Sequence, residues 1–550
     1  MSRLRRMPGA CTGAGAGMPH ITLIAIAHEG AGDVAAFCHG LEAQTYPAWD
    51  LVLCVDRVLA ELSPPPIGEG RLRIVQASPG GAMAAMRQAV ANARGEYVVE
   101  LALSDRLPAN ALHDLARAID KFPAADLLYG DVACMASDGA ARLMLKPAWN
   151  PELFRGMDYV SGFLAIRRDP LVAQLERVVG AEDEWRTAVL FRLAEAGAEC
   201  RHIPRVLVQR RDCAGNPAGN PDDARARMRM LEVELGGASG PFAEPGALAG
   251  TVRVRYPIPV PLPRVEIIIP TRNGGALLGK CVGSLLDRTR YDNFSVLIVD
   301  NRSDDADTLR FLENMAGKPD VRVLPFPRPF NYSAINNMAV AATDAEVVCL
   351  LNDDVEVISE DWLREMVSHA MRPEVGAVGA KLLYPDGTVQ HAGIVVGMRR
   401  SAAHGHKGFP GDAPGYMGRL QVAQNCTAVT GACLVIRRDL YVRMGGLNER
   451  ELAVAYNDVD FCLRLGAAGY RNVWTPHALL YHHESASRGR DITPEKRRRL
   501  KAEAAYMNRR WRMDRFEDPC HHPGLSLARE DFSLASWAQS CWRTRRVVAR

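Results

Sequence analysis

The stretch Glu346-Val347-Val348-Cys349-Leu350-Leu351-Asn352-Asp353-Asp354-Val355-Glu356 passes from apolar to acidic within a few residues. Its first half has the continuous apolar character of a strand buried on both faces. Asp353, Asp354 and Glu356 then place three anionic side chains within four positions. At the end of a buried strand such groups repel one another unless a countercharge joins them. Oxygen ligands of this kind suit Mg²⁺ or Mn²⁺, and Mg²⁺ is commonly held by one or two carboxylates together with substrate phosphates. An acidic turn capping a helix that starts near Asp361-Trp362 accounts for the same residues. The surrounding sequence has to decide between the two.

Upstream, Val265 opens a strand, VEIIIP, and Leu277, Leu278, Cys281, Val282, Leu285 and Leu286 follow at helical spacing. SVLIVD, ending at Asp300, and VRVLPF read as further strands. Strands alternating with helices indicate an α/β unit, whose ligands bind beyond the carboxyl ends of the strands. Thr271, Asp300 and Asp353/Asp354 all fall at such ends, which raises the metal reading above the helix cap. Downstream, TGACLVIRRD is a strand candidate with Gly431-Ala432 at its start, followed by a Gly445-Gly446 turn. In NDVDFCLRLGAAGY, Asp458 falls in a first helical turn, where the helix dipole favours a carboxylate, and Gly469 is a stop signal. Tyr481-His482-His483-Glu484-Ser485 comes next, leading to Arg488, and offers either a surface loop or an imidazole for a carboxylate-bound metal.

The chain of 550 residues is too long for one ordinary domain. Its 48% hydrophobic and 24% charged residues predict a folded soluble protein, and a net charge of +3 gives no case for nucleic acid. Thirteen scattered cysteines without C-x-x-C pairs predict reduced thiols and a cytoplasmic location. No apolar run reaches the length of a membrane span. The expected organisation is a flexible tail at 1–18, a first α/β domain at 19–212, a helical and Pro-rich linker at 213–263, a second domain at 264–515, and a C-terminal tail at 516–550. The first domain is read from ITLIAIA, from LVLCVD ending at Asp56, and from EYVVELAL; the linker is closed by YPIPVPLP.

From about Val265 to Arg488 the strings IIPTRNG, LIVDNRSDD, RPFNYSAINN, LLNDDVE, TGACLVIRRD, GGLNE, NDVDFCLRL and YHHES occur in order. Together they resemble the family 2 glycosyltransferases of the GT-A fold, in particular two-domain bacterial members that build surface polysaccharides. The resemblance implies two tandem GT-A-like domains with mainly parallel sheets flanked by helices. It implies a nucleotide-diphosphate sugar as donor, lying against Thr271 and Asp300 with Pro270, Asn273, Asn301, Asn352 and Arg488 alongside. Asn352-Asp353-Asp354 takes the place of the family's D-x-D metal motif, with His482 or His483 as a further ligand to Mg²⁺ or Mn²⁺. Asp458 stands where the family has its catalytic base, and Asn457 replaces the glutamate before it. Gly431, Asn457 and Asp460 would position sugar or acceptor. A growing glycan or lipid-linked glycan is the implied acceptor.

The chemistry asks for the same groups. A departing diphosphate needs its charge neutralised, which a divalent ion supplies, and an acceptor hydroxyl needs a base within reach. In-line attack inverts the anomeric centre without a covalent enzyme intermediate.

The first half repeats the second with its chemistry removed. LVLCVD matches SVLIVD, SGFLAIRRD mirrors TGACLVIRRD, and WRTAVLFRLAEAGAECRHIP aligns with NDVDFCLRLGAAGYRNVWTP at a shift of 272 (458 − 186). Arg186 then stands in place of Asp458, Arg210 in place of His482, and Ala102-Leu103-Ser104 in place of the acidic motif, with Asp105 beside it. This predicts a degenerate, inactive copy whose arginines either bind an anion or lie solvated.

A dinucleotide-dependent oxidoreductase is excluded, because the G-x-G-x-G string Gly13 to Gly17 precedes the first strand instead of following it. His404, His406, Cys426 and Cys433 match no zinc spacing. The remaining rival is a non-catalytic glycan-binding or scaffold subunit, against which stands the joint survival of Asp353, Asp354, Glu356, Asp458 and the histidine pair. Finally, Lys496-Arg497-Arg498-Arg499, Lys501 and Arg509-Arg510-Trp511-Arg512 form a basic helical segment. It suits peripheral contact with an anionic membrane face, or a solvated surface.

Overall fold

The computed structural model describes residues 17–27, 33–55, 67–77, 81–136, 140–178, 184–211, 221–234, 240–484 and 493–536. The chain divides into two compact units, residues 1–144 with 160–214 and residues 145–159 with 215–550.

In the first unit the strands are β1 (Ile21–Ala27), β2 (Trp49–Val55), β3 (Leu72–Gln76), β4 (Tyr97–Leu101), β5 (Leu127–Met135), β6 (Ala141–Met144), β7 (Phe163–Arg167) and β8 (Cys200–Arg211). They form one sheet in the order β3-β2-β1-β4-β7-β5, with β6 and β8 both paired to β5. A hairpin of β9 (Phe242–Pro245) and β10 (Val252–Arg255) precedes the second sheet. That sheet uses β11 (Val265–Thr271), β12 (Phe294–Asp300), β13 (Val321–Pro325), β14 (Val347–Leu351), β15 (Val355–Val357) and β16 (Val375–Leu383). The short strands β17 (Val389–His391), β18 (Ile394–Val396), β19 (Ala402–His404) and β20 (Gln424–Cys426) follow, then β21 (Cys433–Arg437) and β22 (Arg471–His482). The order is β13-β12-β11-β14-β21-β16-β22-β15.

The two sheets share one plan. Each begins with four parallel strands, β3-β2-β1-β4 and β13-β12-β11-β14. An antiparallel strand, β7 or β21, then separates them from a further parallel pair, β5/β8 or β16/β22. The expectation of mainly parallel sheets therefore describes only the first part of each; as wholes they are mixed. The reversal has a local effect in the second unit. Because β21 runs against β14, with Leu351 opposite Cys433, the residues before β21 arrive beside the residues after β14. Asn352 N accordingly donates to Ala432 O at 3.0 Å.

The apolar runs become the buried centre as expected. Val265, Ile267, Ile268 and Ile269 of β11 are fully buried, as are Val347 to Leu351 of β14. Each such side chain contributes roughly 1.5–3 kcal/mol through burial. One apolar cluster packs the helix Gly275–Arg288 and the helix Trp362–Ala370 on the sheet through Leu278, Val282, Trp362 and Met366. A second holds the helix Tyr332–Ala341 and the helix Asn457–Ala467 through Ile335, Ala339, Phe461 and Leu465.

Domain edges are less simple than the sequence implies. The charged part of the expected linker forms the helix Pro221–Glu234, and the linker from Gly215 onward clusters with the second unit. So does residues 145–159, a segment taken from inside the first half. Asn150 caps the helix Pro151–Gly156 and exchanges hydrogen bonds with the backbone of Asn425, at 2.9 and 2.8 Å. Glu152 is buried against Arg372, which donates to it at 2.5 and 2.9 Å. Residues 516–536 also pack on the second unit, where the buried Asp518 accepts from Val396 N and Thr427 Oγ1 at 2.7 and 2.6 Å.

Candidate active site

The carboxyl ends of β11 and β14, the start of β21, the first turn of the helix Asn457–Ala467 and the end of β22 surround one open cavity of about 510 Å³. Pro270, Thr271, Asn352, Asp353, Asp354, Gly431, Asn457, Asp458 and His482 all line it.

Asp353 is buried and accepts from Thr271 Oγ1 at 2.7 Å, so the threonine at the end of β11 orients the carboxylate at the end of β14. Asp354 is also buried; its Oδ1 makes no hydrogen bond and faces His482 Nε2 at 3.3 Å. His482 Nε2 lies 3.3 Å from Asn352 Nδ2 as well, while its Nδ1 is buried without a partner. Unsatisfied donors and acceptors buried side by side cost free energy that a bound ligand recovers. Among the described residues these side chains do not form a preassembled cluster of three ligand atoms within 4.8 Å.

His482 and His483 point to opposite sides of the chain, as neighbours in an extended segment must. His482 lines the cavity, whereas His483 stands 3.5 Å from Glu356 and donates its backbone N–H to Asp354 O at 2.9 Å.

Asp458 sits in the first turn of its helix, with Oδ2 accepting from Gly431 N at 2.9 Å and Oδ1 from Val459 N at 2.8 Å. Tyr332 OH donates to Gly431 O at 2.8 Å, which ties the glycine strap from its other side. Burial, aided by the charge of Asp458, pushes the Tyr332 phenol well above its ordinary range, so it remains a donor. Asn457 is buried and donates to Val454 O at 3.0 Å.

Three expected nucleotide contacts lie on the adjoining rim and do not line this cavity. Asp300 is opposite Thr271 in the β11/β12 register and accepts from Ser303 N at 3.1 Å. Asn301 is buried, donating to Phe326 O and Arg328 O at 3.0 and 2.8 Å. Asn273, in a left-handed conformation, donates to Asp304 at 2.7 Å. Arg488 and, in the first half, Asp56 lie outside the described residues.

Asp460 does not belong to this cavity. It is buried, paired with Arg464 at 2.8 Å and Arg510 at 3.3 Å, and accepts from Trp511 Nε1 at 2.8 Å. It lines a different space of about 540 Å³ with Asn337, Gly446 and Tyr506. The reason is helical: residues two apart point about 200° from each other, so Asp458 and Asp460 cannot share a face.

Sequence reasoning missed Arg272, Tyr332, Glu484 and Lys496 as lining residues. Tyr332 had a signal, because Asn331 is an N-cap that fixes the start of its helix at the cavity. In the first unit, Arg210 donates to both oxygens of Asp105 at 2.8 and 2.7 Å, and Arg186 to both of Glu100 at 3.0 and 2.5 Å. The arginines at the aligned positions are therefore held by carboxylates of their own unit.

Residues 266–445 match the model of glycosyl transferase family 2. The chain is 31% identical over 247 residues to the N-acetylglucosaminyl-diphospho-decaprenol L-rhamnosyltransferase of Mycobacterium tuberculosis, covering 41% of this chain and 78% of that protein. The chain belongs to glycosyl transferase family 2. It is also 37% identical over 534 residues to the O-antigen biosynthesis protein RfbC of Myxococcus xanthus, 94% of this chain and 41% of that protein. It is 43% identical over 520 residues to the uncharacterised protein y4gI of Sinorhizobium fredii, 90% of this chain and 56% of that protein. The family 2 chain thus spans about half the length of these two relatives.

Proposed function

We propose that the second unit is an inverting, metal-dependent glycosyltransferase acting in the synthesis of a cell-surface polysaccharide. It transfers a sugar from a nucleotide-diphosphate donor to a hydroxyl of a glycan or lipid-linked glycan. The carrying observation is the convergence of Asp353, Asp354, His482 and Asp458, from three distant parts of the chain, on one cavity. The names of the rhamnosyltransferase and O-antigen relatives favour the same class.

The residues divide the work. Asp353, oriented by Thr271, and Asp354 with His482 are the donors that fit Mg²⁺ or Mn²⁺, because Asp354 Oδ1 has no hydrogen bond of its own and His482 Nε2 faces it at 3.3 Å. When bound, such an ion supplies Lewis-acid charge to a diphosphate leaving group. Pro270 and Thr271 form the donor-side wall. Asp458 takes the proton of the acceptor hydroxyl as its oxygen bonds to the anomeric carbon and the bond to the diphosphate breaks. Hydrogen bonds from Gly431 N and Val459 N fix the direction of that carboxylate. The first unit is a non-catalytic copy: it shares the sheet plan, while Arg210–Asp105 and Arg186–Glu100 ion pairs stand at positions aligned with the chemistry.

Donor hydrolysis tests the reading without knowledge of the acceptor. Wild type and Asp458→Asn are incubated with a panel of nucleotide sugars and Mn²⁺ or Mg²⁺, and nucleoside diphosphate release is followed. Metal-dependent release from one donor, reduced at least 100-fold in the variant, is the expected result. Calorimetry with nucleoside diphosphates and Mn²⁺ runs in parallel. No metal-dependent binding and no release across the panel would leave a scaffold subunit as the better account.

A further inference from the structure

We propose that Glu484 reads hydroxyl groups on a neutral sugar ring in the active-site cavity, a specificity role that rests on the transferase reading above. Glu484 lines the same cavity as Asp354, Asp458 and His482. Its Oε2 accepts from Tyr384 OH at 2.5 Å and from Gln390 Nε2 at 3.4 Å, and Lys407 Nζ stands 3.5 Å away. These contacts all fall on one oxygen, and among the described residues none is made by Oε1. The side chain remains 37% exposed.

The mount comes from separate places: Tyr384 follows β16, Gln390 lies on β17, and Lys407 lies beyond β19. The β16/β17 hairpin and the segment beyond β19 thus meet on a carboxylate far from both in sequence. A plane fixed through one oxygen, with the other open, is pre-organised to accept hydrogen bonds from a ligand. A purely structural strut would need neither the exposure nor the open oxygen.

Charge defines the ligand. A carboxylate accepts hydrogen bonds and donates none, and it repels a diphosphate. It can hold hydrogen-bond donors, and on a neutral sugar in a cavity built for sugar transfer these are ring hydroxyls. A site that bonds a hydroxyl discriminates against analogues lacking it. The hydroxyls belong either to the donor sugar or to the acceptor sugar.

The test uses the full chain with Glu484→Gln and Glu484→Ala, and Tyr384→Phe as a milder disturbance of the mount. Three quantities are read: nucleoside diphosphate binding with Mn²⁺, acceptor-free hydrolysis of the active donor, and transfer to a panel of neutral methyl glycosides. Diphosphate binding should stay within twofold of wild type in all variants, which also reports intact folding. The kcat/KM for the sugar step should fall tenfold or more in Glu484→Ala, and less in Tyr384→Phe. A loss already present in hydrolysis assigns the contact to the donor sugar; a loss confined to transfer assigns it to the acceptor. Unchanged hydrolysis and transfer in Glu484→Ala, or a parallel fall in diphosphate binding, overturns the assignment while leaving the transferase reading intact. A wild type that binds no nucleotide overturns both.

Discussion

Gly274 shows how little room the site leaves around its carboxylates. A Cβ there would lie 2.7 Å from Thr271 Oγ1 and 2.8 Å from Asp353 Oδ2, closer than real contacts allow. Gly274→Ala should therefore push Asp353 off its threonine at a modest stability cost of about 1–3 kcal/mol. Mn²⁺-dependent nucleotide affinity should fall at least tenfold, as calorimetry will measure. Protonation gives a second prediction. Burial lowers His477 from 6.5 to about 4 and His521 likewise from 6.5 to about 4. Between those values the unfolded chain binds protons that the folded chain does not, so stability falls as pH drops from about 6.5 toward 4. At pH 5 each histidine should cost on the order of 2 kcal/mol relative to neutral pH, visible as a lower urea midpoint. His477→Gln should flatten that dependence. At this scale the sequence exposed the residue types but not always their direction. Asp458 and Asp460 look equivalent in NDVD, yet helical geometry sends one to the cavity and the other to Arg464 and Trp511. Glu484 stood in a quoted motif without a role, because Tyr384, Gln390 and Lys407 reach it only through tertiary contacts.

Among the elements, residues 145–159 carry more than their length implies. Glu152 enters the second unit fully buried, and although burial alone would raise its pKa, Arg372 and Arg155 hold it well below the usual carboxylate range. The folded form therefore gains stability from the ionised carboxylate at neutral pH and loses it as pH falls below the unfolded value near 4.5. Glu152→Ala leaves the buried Arg372 with only part of its partners and should cost about 3–5 kcal/mol, read by urea denaturation at pH 7. The penalty relative to wild type should shrink in acid. A second unit cut at the Pro-rich segment lacks Asn150 and Glu152 altogether. Periodicity identified the strands and helices around Asp353, since buried strands and amphipathic helices leave local patterns. It gave no sign that a short piece of the first half packs with the second, because that pairing is between residues more than 200 positions apart. Strand direction was hidden for the same reason: TGACLVIRRD reads as a strand, and only the β14/β21 register makes it antiparallel and brings Gly431 beside Asn352.

For the whole molecule, charge is unevenly placed. The helix Pro494–Trp511 carries seven Lys and Arg against two Glu, while the entire chain has a net charge of only +3. Arg497, Lys501 and Arg509 are exposed, and Lys496 of the same helix lines the active-site cavity. Among the described residues no helix is long and apolar enough to cross a membrane. Were the proposed acceptor lipid-linked, this basic face would be the surface for contact with an anionic membrane, at roughly 1 kcal/mol per cation near it. The protein should co-sediment with vesicles containing about one-third phosphatidylglycerol, and lose binding in neutral vesicles or at high salt. The combined Arg497→Glu, Lys501→Glu and Arg509→Glu change should abolish sedimentation without altering donor hydrolysis. Retention of binding by that variant would assign the surface elsewhere. The sequence by itself determined the α/β class and the acidic and histidine groups, and it offered the base candidate and the repeat, because each is written in local spacing or ordered motifs. Tertiary structure alone decided that the sheets are mixed, that His482 and not His483 faces the cavity, that Asp460 turns away, and that residues 145–159 complete the second unit. Those outcomes depend on strand direction and on contacts between distant segments, and neither leaves a local mark in the chain.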